Sequence, residues 1–252
     1  MQINHIKARI IFDSRGFPTL EAECKISPNF VGTAAVPSGA STGSKEAIEL
    51  RDGDPSNYHG KGVSNALKNF NNIIAPAIIG KNFETQKDFD TFLIELDGTT
   101  NKSKLGANAI LAASLSFAKA VAKFQGVTFF KSLGQNFSIP KPMMNILNGG
   151  AHADNTVEIQ EFMIMPLKFN SFLEAMKIGT EIFHTLKSLL KKNGLSTNVG
   201  DEGGFAPNLE TPNQAIEYIL EACEKSNYTP GKDVTIALDC AANEFYKNNL
   251  YY

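Results

Sequence analysis

The chain has 252 residues, enough for one large domain or two smaller ones. It is 42% hydrophobic and 20% charged, which places it among globular rather than disordered chains. With 24 Lys and Arg against 26 Asp and Glu the net charge is -2, which excludes the basic footprint of a nucleic-acid binder.

Residues 3–12, 19–26 and 30–36 are rich in Ile, Val and alternating apolar positions. Asp13-Ser14-Arg15-Gly16 and Ser27-Pro28-Asn29 separate them as turns, so a three-stranded antiparallel meander is expected. Residues 36–44 form a small-residue loop of hydroxyls and glycines. It reads either as a mobile lid offering Ser41 to a metal or phosphate, or as a plain connector. It lacks P-loop spacing, and Asp52 and Asp54 lack the remaining EF-hand ligands. Residues 46–50 read as a short helix, and 63–74 as a longer one stopped near Pro76. Thr85 caps a helix with Asp88 at its third position. Residues 105–123 form an Ala-rich helix, apolar on most faces and so expected in the core. Strands followed by helices imply an α+β domain over 1–134. Residues 135–142 carry two prolines and read as a linker.

From 143 onward the pattern changes. Residues 143–147 read as a strand running into the polar loop 148–155, and 157–165 as a second strand ended by Pro166. Glu161 and Gln160 adjoin an apolar run within it, and a carboxylate there is either paired, functional or at a solvated strand end. Ser171 and Thr211 open two capping-box helices, the first closed by Gly194. His184 on the first of them reads as a packing or surface residue. Between the two helices lies Asn198-Val199-Gly200-Asp201-Glu202-Gly203-Gly204-Phe205, with two carboxylates set between glycines. It is good turn chemistry, and it also suits a carboxylate held at the mouth of a site. Residues 234–239 are an apolar strand ending in Asp239, expected to be covered on both faces. Ligands in α/β sheets sit beyond such strand ends, which singles out Asp239.

The three cysteines, Cys24, Cys223 and Cys240, match no zinc spacing and point to buried thiols in a reducing compartment. The N-terminus has no apolar signal core and no run reaches the ~18 apolar residues of a membrane span. A soluble cytoplasmic protein is expected. Glu202, Asp239, Glu161 and Ser41 together offer hard oxygen ligands and a proton donor. Mg²⁺ is the ion that suits them, and a metal-assisted elimination is the reaction class.

Six stretches carry a resemblance: DSRGFPT (13–19), VPSGASTG (36–43), NGGAHADN (148–155), QEFMIMP (160–166), NVGDEGGFAP (198–207) and ALDCAANEFY (237–246). In this order they resemble the enolase family along essentially the whole chain. The resemblance implies an α+β first domain and, over 143–252, the first part of a β/α barrel of modified topology, about three strands long. It implies reversible dehydration of 2-phosphoglycerate to phosphoenolpyruvate with two Mg²⁺. Asp239 would be a ligand of the tighter Mg²⁺, and Ser41 would join the second. Glu202 would act as acid on the leaving 3-hydroxyl with Glu161 as companion. His152 would close over the substrate phosphate region, and Gln160 would stand behind the metal. The family's proton-abstracting lysine and two further carboxylate ligands lie in later stretches that this sequence does not contain. A 252-residue chain is therefore expected to be marginally stable, prone to pairing at the open edge 234–238, and inactive or nearly so. A homo-oligomer is the family's habit. Two other readings stay open: a non-catalytic binding or scaffold module, and another Mg²⁺-dependent lyase of the wider superfamily.

Overall fold

The computed structural model describes residues 1–27, 30–39 and 41–251. Pro28 and Asn29 of the second expected inter-strand turn, and Ala40 of the hydroxyl loop, lie outside them. The chain divides into two compact units, Met1–Gly39 with Lys45–Phe137, and Ala40–Ser44 with Ser138–Tyr252.

In the first unit β1 (His5–Phe12), β2 (Pro18–Ser27) and β3 (Phe30–Ala35) form an antiparallel sheet in that order. Helix α1 (Ser64–Asn69), a π turn (Phe70–Ile74) and α2 (Ala75–Ile78) follow as one continuous rod. Pro76 does not stop it. The π turn bonds Ala75 N–H to the Phe70 carbonyl, which shifts the ladder just where proline can donate nothing. Helix α3 (Gln86–Asp97) opens on a complete capping box between Thr85 and Asp88. Helix α4 (Ala107–Phe124) lies on the sheet as the core helix, with Ala109, Ala112, Ala113, Phe117 and Ala120 fully buried. By length and composition α4 also passes as a membrane span, but its window is 61% buried inside the unit. Its close approach depends on Gly32. A Cβ there would fall 2.1 Å from the Ser116 carbonyl oxygen. Phe117 packs against the rings of Phe83 and Phe89. Full burial of such a side chain contributes about 1.5–3 kcal/mol. The short α5 (Phe129–Ser132) ends the unit's helices.

The helix expected at 46–50 is absent, and 47–50 take no regular structure. Ile48 N–H donates to the Asn101 carbonyl, and Leu50 bonds the Asn108 side chain through both its N–H and its carbonyl. These distant partners outweigh the weak propensity of a five-residue helix.

In the second unit β4 (Met144–Asn148), β5 (Glu161–Pro166) and β6 (Val234–Asp239) form a sheet in chain order, with both pairings antiparallel. Helices α6 (Phe172–Lys192) and α7 (Pro212–Lys225) cover one face through Ile178, Ile182, Leu186, Ile219 and Ala222. Strand β5 begins four residues later than expected. The carbonyls of Val157 and Gln160 are taken by the N–H groups of Gly150 and Gly149 instead of a ladder. The expectation that β6 is covered on both faces also fails. Val234 is buried, but Leu238 is 42% exposed, because β6 is an edge strand whose far end outruns the helices. A small hairpin, β7 (Tyr246–Lys247) and β8 (Leu250–Tyr251), turns on Asn248 and Asn249, both left-handed.

Candidate metal-assisted active site

The site lies on the sheet face of the second unit that α6 and α7 leave uncovered. The β4–β5 register slips by one residue between Asn145 and Leu147. Asn145 therefore opposes Met163 and Asn148 opposes Glu161, and Glu161 in turn opposes Asp239. Directly opposed residues project to the same face. One row across the sheet thus reads Asn148, Glu161, Asp239.

The 198–206 loop lies beside β4 like a short extra strand. Asn148 N–H donates to the Phe205 carbonyl, and Phe205 N–H to the Ile146 carbonyl, each at 2.9 Å. The Phe205 ring anchors it, fully buried and stacked on Phe183 at 4.3 Å. The turn above is closed by Gly200 N–H on the Gly204 carbonyl at 2.8 Å. Gly203 alone among the turn's glycines takes a left-handed backbone, at φ +85°. Gly204 serves a different need. A Cβ on it would sit 2.3 Å from Asn148 Oδ1 and 2.8 Å from the Leu147 backbone nitrogen. This geometry brings Glu202 over the row.

His152 joins the carboxylates. It is 4% exposed, yet its Nδ1 lies 3.3 Å from Glu161 Oε1 and 3.8 Å from Glu202 Oε2. Neither contact has hydrogen-bond alignment, so Nδ1 is left without a bonded partner. On the other side of the ring, Nε2 is 3.3 Å from Ser41 Oγ. One ligand atom each from His152, Glu161 and Glu202 lie within 4.8 Å of one another. Gln160 is buried and donates from Nε2 to Asp239 Oδ2 at 3.3 Å, while the Ala241 N–H donates to Oδ1 at 2.9 Å. All six residues singled out in the sequence, Ser41, His152, Gln160, Glu161, Glu202 and Asp239, therefore converge in the second unit.

The electrostatics are unbalanced. The Glu161 carboxyl is pushed up to about 7, first by burial, then by a hydrogen bond with Glu202 and by the charges of Glu202 and Asp239. Among the described residues no Lys or Arg is ion-paired with any of the three carboxylates. Three carboxyl groups without a paired Lys or Arg crowd negative charge onto this face, and that charge is offset by a proton on Glu161 or by a cation. Oxygen donors of this kind suit a hard divalent ion.

Asn148 was not singled out from the sequence. Its position after an apolar strand looks like the start of a polar loop, and only the one-residue slip in β4 places it in the row. Residues 3–133 match the family model described as the enolase N-terminal domain, and residues 136–252 match the one described as the enolase C-terminal TIM barrel domain.

Proposed function

The chain belongs to the enolase family, and from that premise we propose that its second unit carries the proton-donating side of a site that dehydrates 2-phosphoglycerate to phosphoenolpyruvate. The observation that carries this reading is the convergence of Glu161, Glu202 and Asp239 on one sheet face beside His152, with no Lys or Arg paired to them among the described residues. Loss of a 3-hydroxyl needs an acid, and Glu202 fits that part. It is half-exposed toward the open side, and Glu161 beside it is pushed up to about 7 by burial and by its carboxylate neighbours, within reach of proton exchange near neutral pH. The donated proton leaves with the hydroxyl as water. His152 and Ser41 stand where an anionic substrate group would meet a ring N–H and a hydroxyl.

Asp239 would hold one Mg²⁺ and Ser41 would join a second. Both oxygens of Asp239 accept a single donor each and keep lone pairs free, so the residues present fit a hard cation. Mg²⁺ supplies positive charge that steadies the substrate carboxylate as electron density builds on it. Gln160 orients Asp239 from behind. The α-proton must go to a base, and no lysine contacts the carboxylates among the described residues. The 252-residue chain is therefore expected to bind substrate and product weakly and to turn over little or none.

The test is an NMR titration of the His152 ring with 2-phosphoglycerate or phosphoenolpyruvate, with and without Mg²⁺. Shifts that need both ligand and metal are expected. A ring indifferent to the pair would sink the assignment.

A further inference from the structure

Among the buried side chains of the second unit, Asn148 stands apart. It is 0% exposed, and neither Nδ2 nor Oδ1 has a hydrogen-bond partner. Leaving such a group unpaired costs stability, a cost that leucine, of nearly the same size, avoids. The side chain sits in the row with Glu161 and Asp239. It also fills the inside of the turn that carries Glu202. A Cβ on Gly200 would meet its Cβ and Cγ at 3.1 and 3.2 Å, and one on Gly204 would meet its Oδ1 at 2.3 Å. The Gly204 N–H has no bonded partner among the described residues.

We infer that Asn148 is a positioning residue of this site: its carboxamide bonds the turn 200–204 when ligand and Mg²⁺ are bound, fixing Glu202 against Glu161 and Asp239. The inference rests on the dehydration-site reading given above. Asn148 touches no reacting atom. It acts through the turn, with Oδ1 toward the Gly204 peptide and Nδ2 free to donate along the row. An amide retained at a cost to stability, packed against the inside of the turn that carries the acid, is what a functional demand leaves behind.

Two substitutions separate this from a packing role. Asn148→Leu keeps the volume and removes the amide, and Asn145→Leu is its matched control. Asn145 is one row away on the same face, its amide is equally unpartnered, and Asn148, not Asn145, is the asparagine that crowds Gly200 and Gly204. The 252-residue chains are compared for thermal midpoint and for Mg²⁺-dependent binding of phosphoenolpyruvate, read at the His152 ring. Asn148→Leu is expected to melt at the same temperature or higher and to bind about tenfold more weakly. Asn145→Leu is expected to bind as the unaltered chain does. A folded Asn148→Leu chain with undiminished binding overturns the inference and leaves the site reading intact, and so does equal weakening by Asn145→Leu. If Asn148→Leu lowers the midpoint, Asn148 is a packing residue and the inference is overturned. If the unaltered chain shows no Mg²⁺-dependent binding, the site reading falls and takes this inference with it.

Discussion

The two units treat their buried polar groups in opposite ways. In the first, Asp97 is 1% exposed and fully used. It accepts from the N–H and hydroxyl of Thr99 on one oxygen and from the Leu105 N–H at 2.7 Å on the other. Burial opposes its charge, but these bonds and the nearby Lys104 hold its carboxyl below the usual range. Asn108 spends both ends of its amide on Leu50. In the second unit Asn145, Asn148, His152 and Gln160 carry six of the eight buried side-chain atoms without a partner among the described residues. Of the other two, on Asp13 and Gln86, the Asp13 oxygen faces Arg15 at 3.9 Å. Polar groups that build a fold are satisfied within it, whereas polar groups that serve a ligand are left open until it arrives.

That contrast is most exposed to failure at Asp97. Asp97→Ala strands the N–H groups of Thr99 and Leu105 and is expected to cost about 3 kcal/mol in denaturant unfolding. A loss below about 1 kcal/mol would mean that the first unit's polar groups are no more committed than the second's. Glu161 should behave in the reverse sense. Its carboxyl lies at about 7 against an ordinary 4.5, so the folded state holds the proton more tightly than the unfolded chain. The stability tied to that proton is complete below about 4.5 and is lost as pH rises through about 7. Glu161→Gln is therefore expected to be the more stable chain at pH 8 without metal, by about 1–2 kcal/mol after screening, and to lose the slope. Mg²⁺ should flatten the slope of the unaltered chain. An unaltered chain that gains stability from pH 5 to pH 8 in chelator would contradict the charge balance drawn for the site.

How much of this could be read from the sequence follows the range of the interaction that decides each feature. Thr85, Ser171 and Thr211 cap helices through bonds to the third residue on, and all three were legible. The meander was legible because its turns are local. Residues 46–50 were misread because their partners, Asn101 and Asn108, are more than fifty positions away. The start of β5 was misplaced because Val157 and Gln160 look like strand, and nothing local says that their carbonyls go to Gly150 and Gly149. Asp239 was singled out by the rule that strand ends carry ligands, although that rule comes from parallel sheets and β6 is antiparallel to β5. Asn148 could not be found at all, since its face depends on a one-residue slip.

Capping gives a smaller test of the same contrast. Asp88 returns to the Thr85 N–H and hydroxyl, closing the box in the first unit. In the second, Glu174 and Gln214 reach one residue too far and accept from Asn170 and Glu210 instead. Thr85→Ala and Ser171→Ala are each expected to cost about 1 kcal/mol. Asp88→Ala should cost more than Glu174→Ala, because both Asp88 bonds go to the capping residue itself, whereas both Glu174 bonds go to Asn170, one residue outside the cap. Equal losses in thermal melts would show that the open box is no weaker than the closed one.

The smallest effect on stability is expected at Leu238, where the contrast turns from hydrogen bonds to apolar surface. Leu238 opposes Phe162 across β5 and β6, and Phe162 is fully buried. The two therefore share the core face, yet Leu238 is 42% exposed because α6 and α7 cover only the beginning of β6. A half-buried leucine on an edge strand adds little to its own fold and offers a second chain both an apolar contact and a free ladder. Leu238→Lys should leave stability within about 0.5 kcal/mol. It should also reduce concentration-dependent association in sedimentation velocity. The first unit has no comparable prediction for β2, whose two ladders are both occupied. If Leu238→Lys destabilises the chain strongly while association is unchanged, then the far end of β6 belongs to the core after all, and α6 and α7 cover more of that face than its exposure implies.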